Sequence, residues 1–230
     1  MHEKTRMRLN YYDYSWPLVD YSPDRDFVAY LTSRSIKGKL IFHFGTGEHH
    51  LVGKHNHERG NPNEIFAITA SREEYRAYVD FVINNPVAAN SYKALFGDIY
   101  TLSPRMLPDF DIVTLFHLGE CYDQQIDDAD DQTDPQGVRL NSAYSRLDDA
   151  TLLDLFLHKL SPGGKILFFK RSGGLVSKRE PGATVTFNGS GGSIKGDRRV
   201  AKIINDYLSR GQMVIEGEYE TLLICGRPVG

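Results

Sequence analysis

Residues 39–47 read Lys39-Leu40-Ile41-Phe42-His43-Phe44-Gly45-Thr46-Gly47, an apolar run that breaks into a glycine turn. Apart from His43 the run has no polar alternation, which is the pattern of a strand covered on both faces. Gly45 and Gly47 let the chain bend sharply and let another group approach the backbone closely. Similar short runs follow at Glu64–Thr69, Tyr92–Phe96, Asp111–Phe116 and Lys165–Phe169. Amphipathic stretches separate them. Asp24 through Ser33 has Phe27, Val28, Tyr30 and Leu31 on a sticky face, and Tyr75, Tyr78, Val79 and Val82 fall at helical spacing. Ser71 with Glu74 three residues later forms a capping-box signature ahead of that second helix. Leu147–Leu160 and Arg199–Leu208 carry the remaining helical faces, the former stopped by Ser161-Pro162-Gly163-Gly164. Met213–Ile215 and Thr221–Cys225 read as a closing antiparallel pair around Glu216-Gly217-Glu218.

Strands apolar on both faces and separated by helices predict an α/β fold: a doubly wound, mostly parallel, seven-stranded sheet with helices on both faces and a C-terminal antiparallel hairpin. Residues 1–36 form an aromatic-rich N-terminal cap, and residues 37–230 form the sheet domain, with insertions at 121–146 and 171–197. Ligands of such sheets bind beyond the carboxyl ends of the strands, where the winding reverses. The expected site therefore lies at the ends of the runs.

The chain has 230 residues, a formal net charge of -3 and 40% hydrophobic residues, enough apolar content for a large folded domain and too much for intrinsic disorder. The charge is uneven. Six aspartates crowd positions 123–134, whereas residues 170–199 carry a local net charge of +5 and seven glycines. Both read as excursions from the scaffold, and residues 171–197 are expected to form a lid over the acceptor site. Net acidity argues against a nucleic-acid partner, because binding driven by counterion release needs a basic face. No run approaches the ~20 apolar residues that span a bilayer. Met1-His2-Glu3-Lys4 leads into no apolar signal segment, and Cys121 and Cys225 make no disulfide framework; the expected setting is a reducing cytoplasm.

In their order and spacing, three pieces together resemble class I S-adenosylmethionine-dependent methyltransferases. They are the glycine turn after the first strand, Gly97-Asp98-Ile99 after the third, and the helix–Leu160-Ser161-Pro162-Gly163-Gly164–strand passage before Lys165. The resemblance covers roughly Lys39 to Cys225. It implies S-adenosylmethionine as cofactor, with Gly45, Thr46 and Gly47 beneath its methionine part. Gly97, Asp98 and Ile99 would hold the adenine, and Phe116, His117, Leu118 and Gly119 would line the sulfonium side. Two positions depart from the family pattern: His43 stands where the family usually has an acid two residues before the first glycine. Thr69 and Ser71 stand where it has an acid for the ribose hydroxyls.

His117 and Glu120, just past the fourth strand, are the candidate acid–base pair for removing a proton from an oxygen or nitrogen acceptor. A capping or core role is the alternative for His117. Tyr11, Tyr12, Tyr14 and Trp16 are candidate substrate contacts, with packing on the sheet edge as the other reading. His49, His50, His55 and His57 match no standard zinc spacing, so no metal is expected, and they read as a polar helix start and an exposed loop. The reading is a methyltransferase acting on a small acceptor, admitting an anionic one, with oligomerisation left open. A catalytically inactive binding or scaffold protein on the same fold is the alternative. An NAD-dependent oxidoreductase is disfavoured, because His50 stands where the dinucleotide fingerprint needs its third glycine.

Overall fold

The computed structural model describes residues 23–47, 49–60, 62–118, 147–170, 185 and 194–228. Tyr11, Tyr12, Tyr14, Trp16, Glu120, Cys121 and the acidic run lie outside the described residues, as does nearly all of 171–193. Helix α1 spans Pro23–Ser33 and strand β1 Leu40–Phe44. Helix α2 is Leu51–Glu58, β2 Glu64–Thr69, α3 Arg72–Asn84 and β3 Tyr92–Phe96. Then follow β4 Phe110–Thr114, α4 Asp149–His158, β5 Leu160–Phe169, α5 Ile194–Ser209, β6 Val214–Tyr219 and β7 Leu222–Gly226. The strands form one seven-stranded sheet in the order β3-β2-β1-β4-β5-β7-β6. The pairs β3–β2, β2–β1, β1–β4 and β4–β5 are parallel, and β7 runs antiparallel to both β5 and β6. The expected fold class is the observed one.

Alternation along β1 explains why both faces are apolar. Ile41 joins a core with Ile65, Ala67, Ile112, Leu167 and Ile224, which α1 covers with Phe27, Tyr30 and Leu31 and α2 with Val52. Phe42 points to the opposite core, with Phe110, Val113, Ile166 and Phe168, covered by Leu152, Leu153 and Phe156 of α4 and by Ile204 of α5. There Phe42 packs tilted against Phe156 at 4.4 Å and edge-on to Phe110 at 5.4 Å between ring centroids. Residues 23–33, the helix within the expected N-terminal cap, are tied down at a second point: the Asp26 carboxylate accepts hydrogen bonds from the Thr221 amide, at 3.1 Å, and from its hydroxyl.

Three local expectations are corrected. The hairpin turns at Glu220, with φ +48°, not around Glu216-Gly217-Glu218. Gly217 instead marks a register shift within β6, so the glycine served a bulge. The capping box is half made: Ser71 Oγ accepts from the Glu74 amide at 3.3 Å, but the Glu74 carboxylate turns inward and is 7% exposed. The Ser161–Gly164 turn lies inside β5 rather than before it, at the register shift where Phe110 pairs Leu160 and Ile112 pairs Lys165.

Candidate active site

Winding reverses between β1 and β4, so the carboxyl ends of these strands frame the crevice. The glycine turn leaves β1 there, with Gly45 at φ +86° and Gly47 at φ +54°. Both conformations are rare for residues with a Cβ. Space is also short. A Cβ on Gly45 would stand 2.2 Å from Cδ2 of His117, and one on Gly47 would stand 2.5 Å from Nε2 of His49. Two imidazoles therefore lie directly on the turn.

Thr46 lies in the turn after β1 and Thr69 ends β2, and both are buried. Their hydroxyls donate to the same Glu74 carboxylate oxygen, at 3.1 and 2.5 Å. The Ser71 amide donates back to Thr69 Oγ1 at 3.0 Å, which orients that hydroxyl toward Glu74. Gly97 ties the end of β3 to this corner through its amide, which donates to the Thr69 carbonyl at 2.9 Å. Sequence reasoning took Glu74 as a helix cap and, with Glu73, as an acid a little past the expected ribose position, and assigned it no site role. The signal that could have found it is its place just past the end of β2, with a threonine ending that strand and another in the turn after β1.

His43 is 1% exposed. Its Nδ1 lies 2.8 Å from Thr114 Oγ1, which also accepts from the Phe44 amide at 3.3 Å. Its Nε2 faces Asp24 of α1, whose two carboxylate oxygens lie 3.5 Å from His43 Nε2 and 3.6 Å from His49 Nε2. Asp24 is 4% exposed, and sequence reasoning missed it because it reads as an ordinary first-turn acid. Burial pushes its carboxyl up to about 7, against the pull of His117. Burial, with the neighbouring His117, His49 and His50, pushes His43 down to about 3.

His50 corrects another expectation. It is 1% exposed rather than part of an exposed loop, and sits at φ +45°. Its Nε2 donates to the Glu74 carbonyl at 2.6 Å, so its Nδ1 accepts from the Tyr92 hydroxyl at 2.6 Å. Burial pushes its pKa down to about 4. His55 instead meets Thr32 Oγ1 at 3.1 Å, and His57 lies edge-on to Phe81 at 6.1 Å. The four histidines thus do not converge, and among the described residues no three His, Cys, Asp or Glu side chains gather as metal ligands.

The other expected residues divide. Asp98 Oδ1 caps the short turn Ile99–Thr101, accepting from the Tyr100 amide at 3.0 Å, and Ile99 is buried in the core. Phe116 packs inward against Phe27 at 5.9 Å and is 2% exposed, so its ring belongs to the core. His117 lies edge-on to Phe44 at 5.8 Å, above the glycine turn. The structure thus gathers His43, Gly45, Thr46, Gly47, Thr69, Ser71 and His117, and adds Asp24, His49, His50 and Glu74.

Among the described residues no helix is long and apolar enough to cross a membrane. No protein-family model matches the sequence, and no curated protein matches it either. Solved structures do. The chain is similar to the CcbJ methyltransferase from Streptomyces caelestis with a TM-score of 0.54 and 11% identity, over 93% of this chain and 94% of that one. The glycopeptide N-methyltransferase MtfA, complexed with sinefungin, gives 0.51 and 12% over 94% and 100% of the two chains. A putative O-methyltransferase from Klebsiella pneumoniae gives 0.50 and 13% over 91% and 80%. With β7 inserted antiparallel between β5 and β6, the chain has the α/β fold of the class I S-adenosylmethionine-dependent methyltransferases.

Proposed function

We propose that the protein is an S-adenosylmethionine-dependent methyltransferase that acts on the oxygen or nitrogen of a small acceptor. Glu74 carries the reading. The family pattern leads one to expect a carboxylate at the end of the second strand for the ribose hydroxyls, and the strand itself ends in Thr69. Glu74 brings a buried carboxylate back to that corner, anchored by Thr46 and Thr69. A carboxylate is the acceptor that suits a pair of vicinal hydroxyls. Gly45 and Gly47 line the methionine side of this reading, and Asp98 the adenine side. The cofactor supplies an electrophilic methyl group on a sulfonium.

His117 then acts as the base. Its ring lies over Gly45 at the crevice, where the acceptor's proton would leave. Glu120 is the second candidate, with Tyr11, Tyr12, Tyr14 and Trp16 toward the acceptor. In this reading the acceptor is small, an anionic one being favoured by the basic stretch 170–199, and the protein works in the cytoplasm without nucleic acid.

A second reading has its own observation. His117 on Gly45 and His49 on Gly47 already use the close approach that the two glycines allow. A binding or scaffold protein that no longer takes the cofactor would keep such a turn for packing alone. Calorimetric titration with S-adenosylmethionine and S-adenosylhomocysteine separates the two. Micromolar binding is expected; no binding of either compound would overturn the enzyme reading and leave the second.

A further inference from the structure

Helix α1 lies outside the glycine turn in sequence, yet it places Asp24 behind that turn, where two chains of donors converge on the carboxylate. On one side the Phe44 amide donates to Thr114 Oγ1, which lies 2.8 Å from His43 Nδ1. A hydroxyl that already accepts has its own proton left to give. Donated to Nδ1, it leaves the His43 proton on Nε2, which faces Asp24 at 3.5 Å. On the other side the Leu51 amide donates to His49 Nδ1 at 3.1 Å, so the neutral ring carries its proton on Nε2, which faces the second Asp24 oxygen at 3.6 Å. Both separations are longer than a good hydrogen bond. Among the described residues, His43 Nε2 is buried without a hydrogen-bond partner. A buried imidazole nitrogen left at this spacing is costly unless something draws on it.

We propose that Asp24 is the positioning residue of the site: it fixes His43 and His49 as Nε2–H imidazoles and sets an ionisable carboxylate behind the Gly45–Gly47 turn that favours a cationic ligand. The ligand half rests on the methyltransferase reading, since a sulfonium is such a cation. Asp24 acts through the ring that lies on the turn. His49 Nε2 occupies the space above Gly47, so the orientation of that ring decides what can approach the backbone there.

Titratable groups from several described elements interact with the carboxylate. These are His43 from β1, His49 after the turn, His117 after β4, Glu74 from α3 and Tyr92 from β3. His43, His49 and Tyr92 are held in their neutral forms by burial. That leaves His117 to favour a charged Asp24 and Glu74 to oppose it. A cation arriving at the turn would shift this balance toward the carboxylate and release a proton near neutral pH.

The test pairs wild type with Asp24→Asn, which keeps the size of the side chain and the docking of α1. Nitrogen-15 spectra of the imidazoles of ligand-free protein report the tautomers. His43 and His49 are expected as Nε2–H forms in wild type, with at least one of them altered in the variant. Calorimetry in two buffers of different ionisation enthalpy reports the proton. Wild type is expected to release part of a proton on binding S-adenosylmethionine at pH 7. The variant should release none, and its preference for S-adenosylmethionine over S-adenosylhomocysteine should fall about tenfold. Wild-type rings in the Nδ1–H form, or unchanged tautomers and an unchanged preference in the variant, would overturn the proposal. If the variant does not fold, the wild-type tautomers and proton release decide alone. If wild type binds neither compound, the methyltransferase reading and the ligand half fall together, while the imidazole spectra still judge the positioning role.

Discussion

Gly45→Ala tests the turn at the centre of the site. The substitution does two separable things. It forces an L residue to φ +86°, which costs about 1–2 kcal/mol for a left-handed backbone. It also sets a methyl 2.2 Å from His117 Cδ2 and 2.6 Å from Nε2, where carbon atoms rest at roughly 3.5–4.0 Å. The imidazole must retreat by more than about 1 Å. That breaks its edge contact with Phe44, a type of contact worth about 0.5–1.5 kcal/mol. The total is about 1.5–3.5 kcal/mol. Gly163→Ala is the matched control, because Gly163 sits at φ +75° with nothing within 4 Å of its Cβ position. It should cost only the backbone share. Urea unfolding of both variants gives the difference, and the His117 ring resonances report whether the imidazole has left Phe44. Equal destabilisation with an unmoved His117 would refute the claim that the turn is built around that ring.

Three further outcomes are expected. Glu74→Gln should weaken S-adenosylmethionine binding by about 1–3 kcal/mol, the worth of hydrogen bonds to a charged acceptor, while Glu73→Gln leaves it unchanged in calorimetry. Asp98→Ala should lower stability by about 0.5–2 kcal/mol through its lost cap and weaken cofactor binding as well, read by thermal unfolding and by titration. Acid should destabilise the fold through His43 and His50, whose folded pKa values lie at about 3 and about 4, below the ordinary 6.5. Their contribution is present above pH 6.5 and lost as pH falls toward those values. Asp24 works the other way: raised to about 7, it favours the fold at low pH and loses that contribution as pH rises from its unfolded value to 7. Between pH 6 and 4 the unfolded chain thus holds two extra protons and the folded chain one. The net loss is about 1 kcal/mol per pH unit, measurable by urea unfolding across that range.

The strands were legible because burial on both faces leaves an unbroken apolar signature, and Lys39–Phe44 and Glu64–Thr69 carry it with sharp ends. The Gly217 bulge was not, since a glycine between two glutamates reads the same in a turn and in an irregular strand. The site was legible only where backbone geometry demanded a residue type, as at Gly45. Asp24 and Glu74 escaped because each has a sufficient local explanation as a helix-start acid. Which way such a carboxylate turns depends on partners far along the chain: Asp24 meets His43 and His49, and Glu74 meets Thr46. His43 read as a departure from the family pattern, yet α1 returns an acid to its side. His50 read as a polar loop residue, because the Tyr92 hydroxyl that holds it lies 42 positions away.

The most direct measurement is a crystal structure of the protein with S-adenosylhomocysteine. The ligand is expected at the carboxyl ends of β1 and β2, with its ribose hydroxyls within hydrogen-bond distance of the Glu74 carboxylate and its amino acid part along Gly45–Gly47. A ligand bound elsewhere, or one that leaves Glu74 untouched with His117 and His49 still seated on the turn, would contradict it.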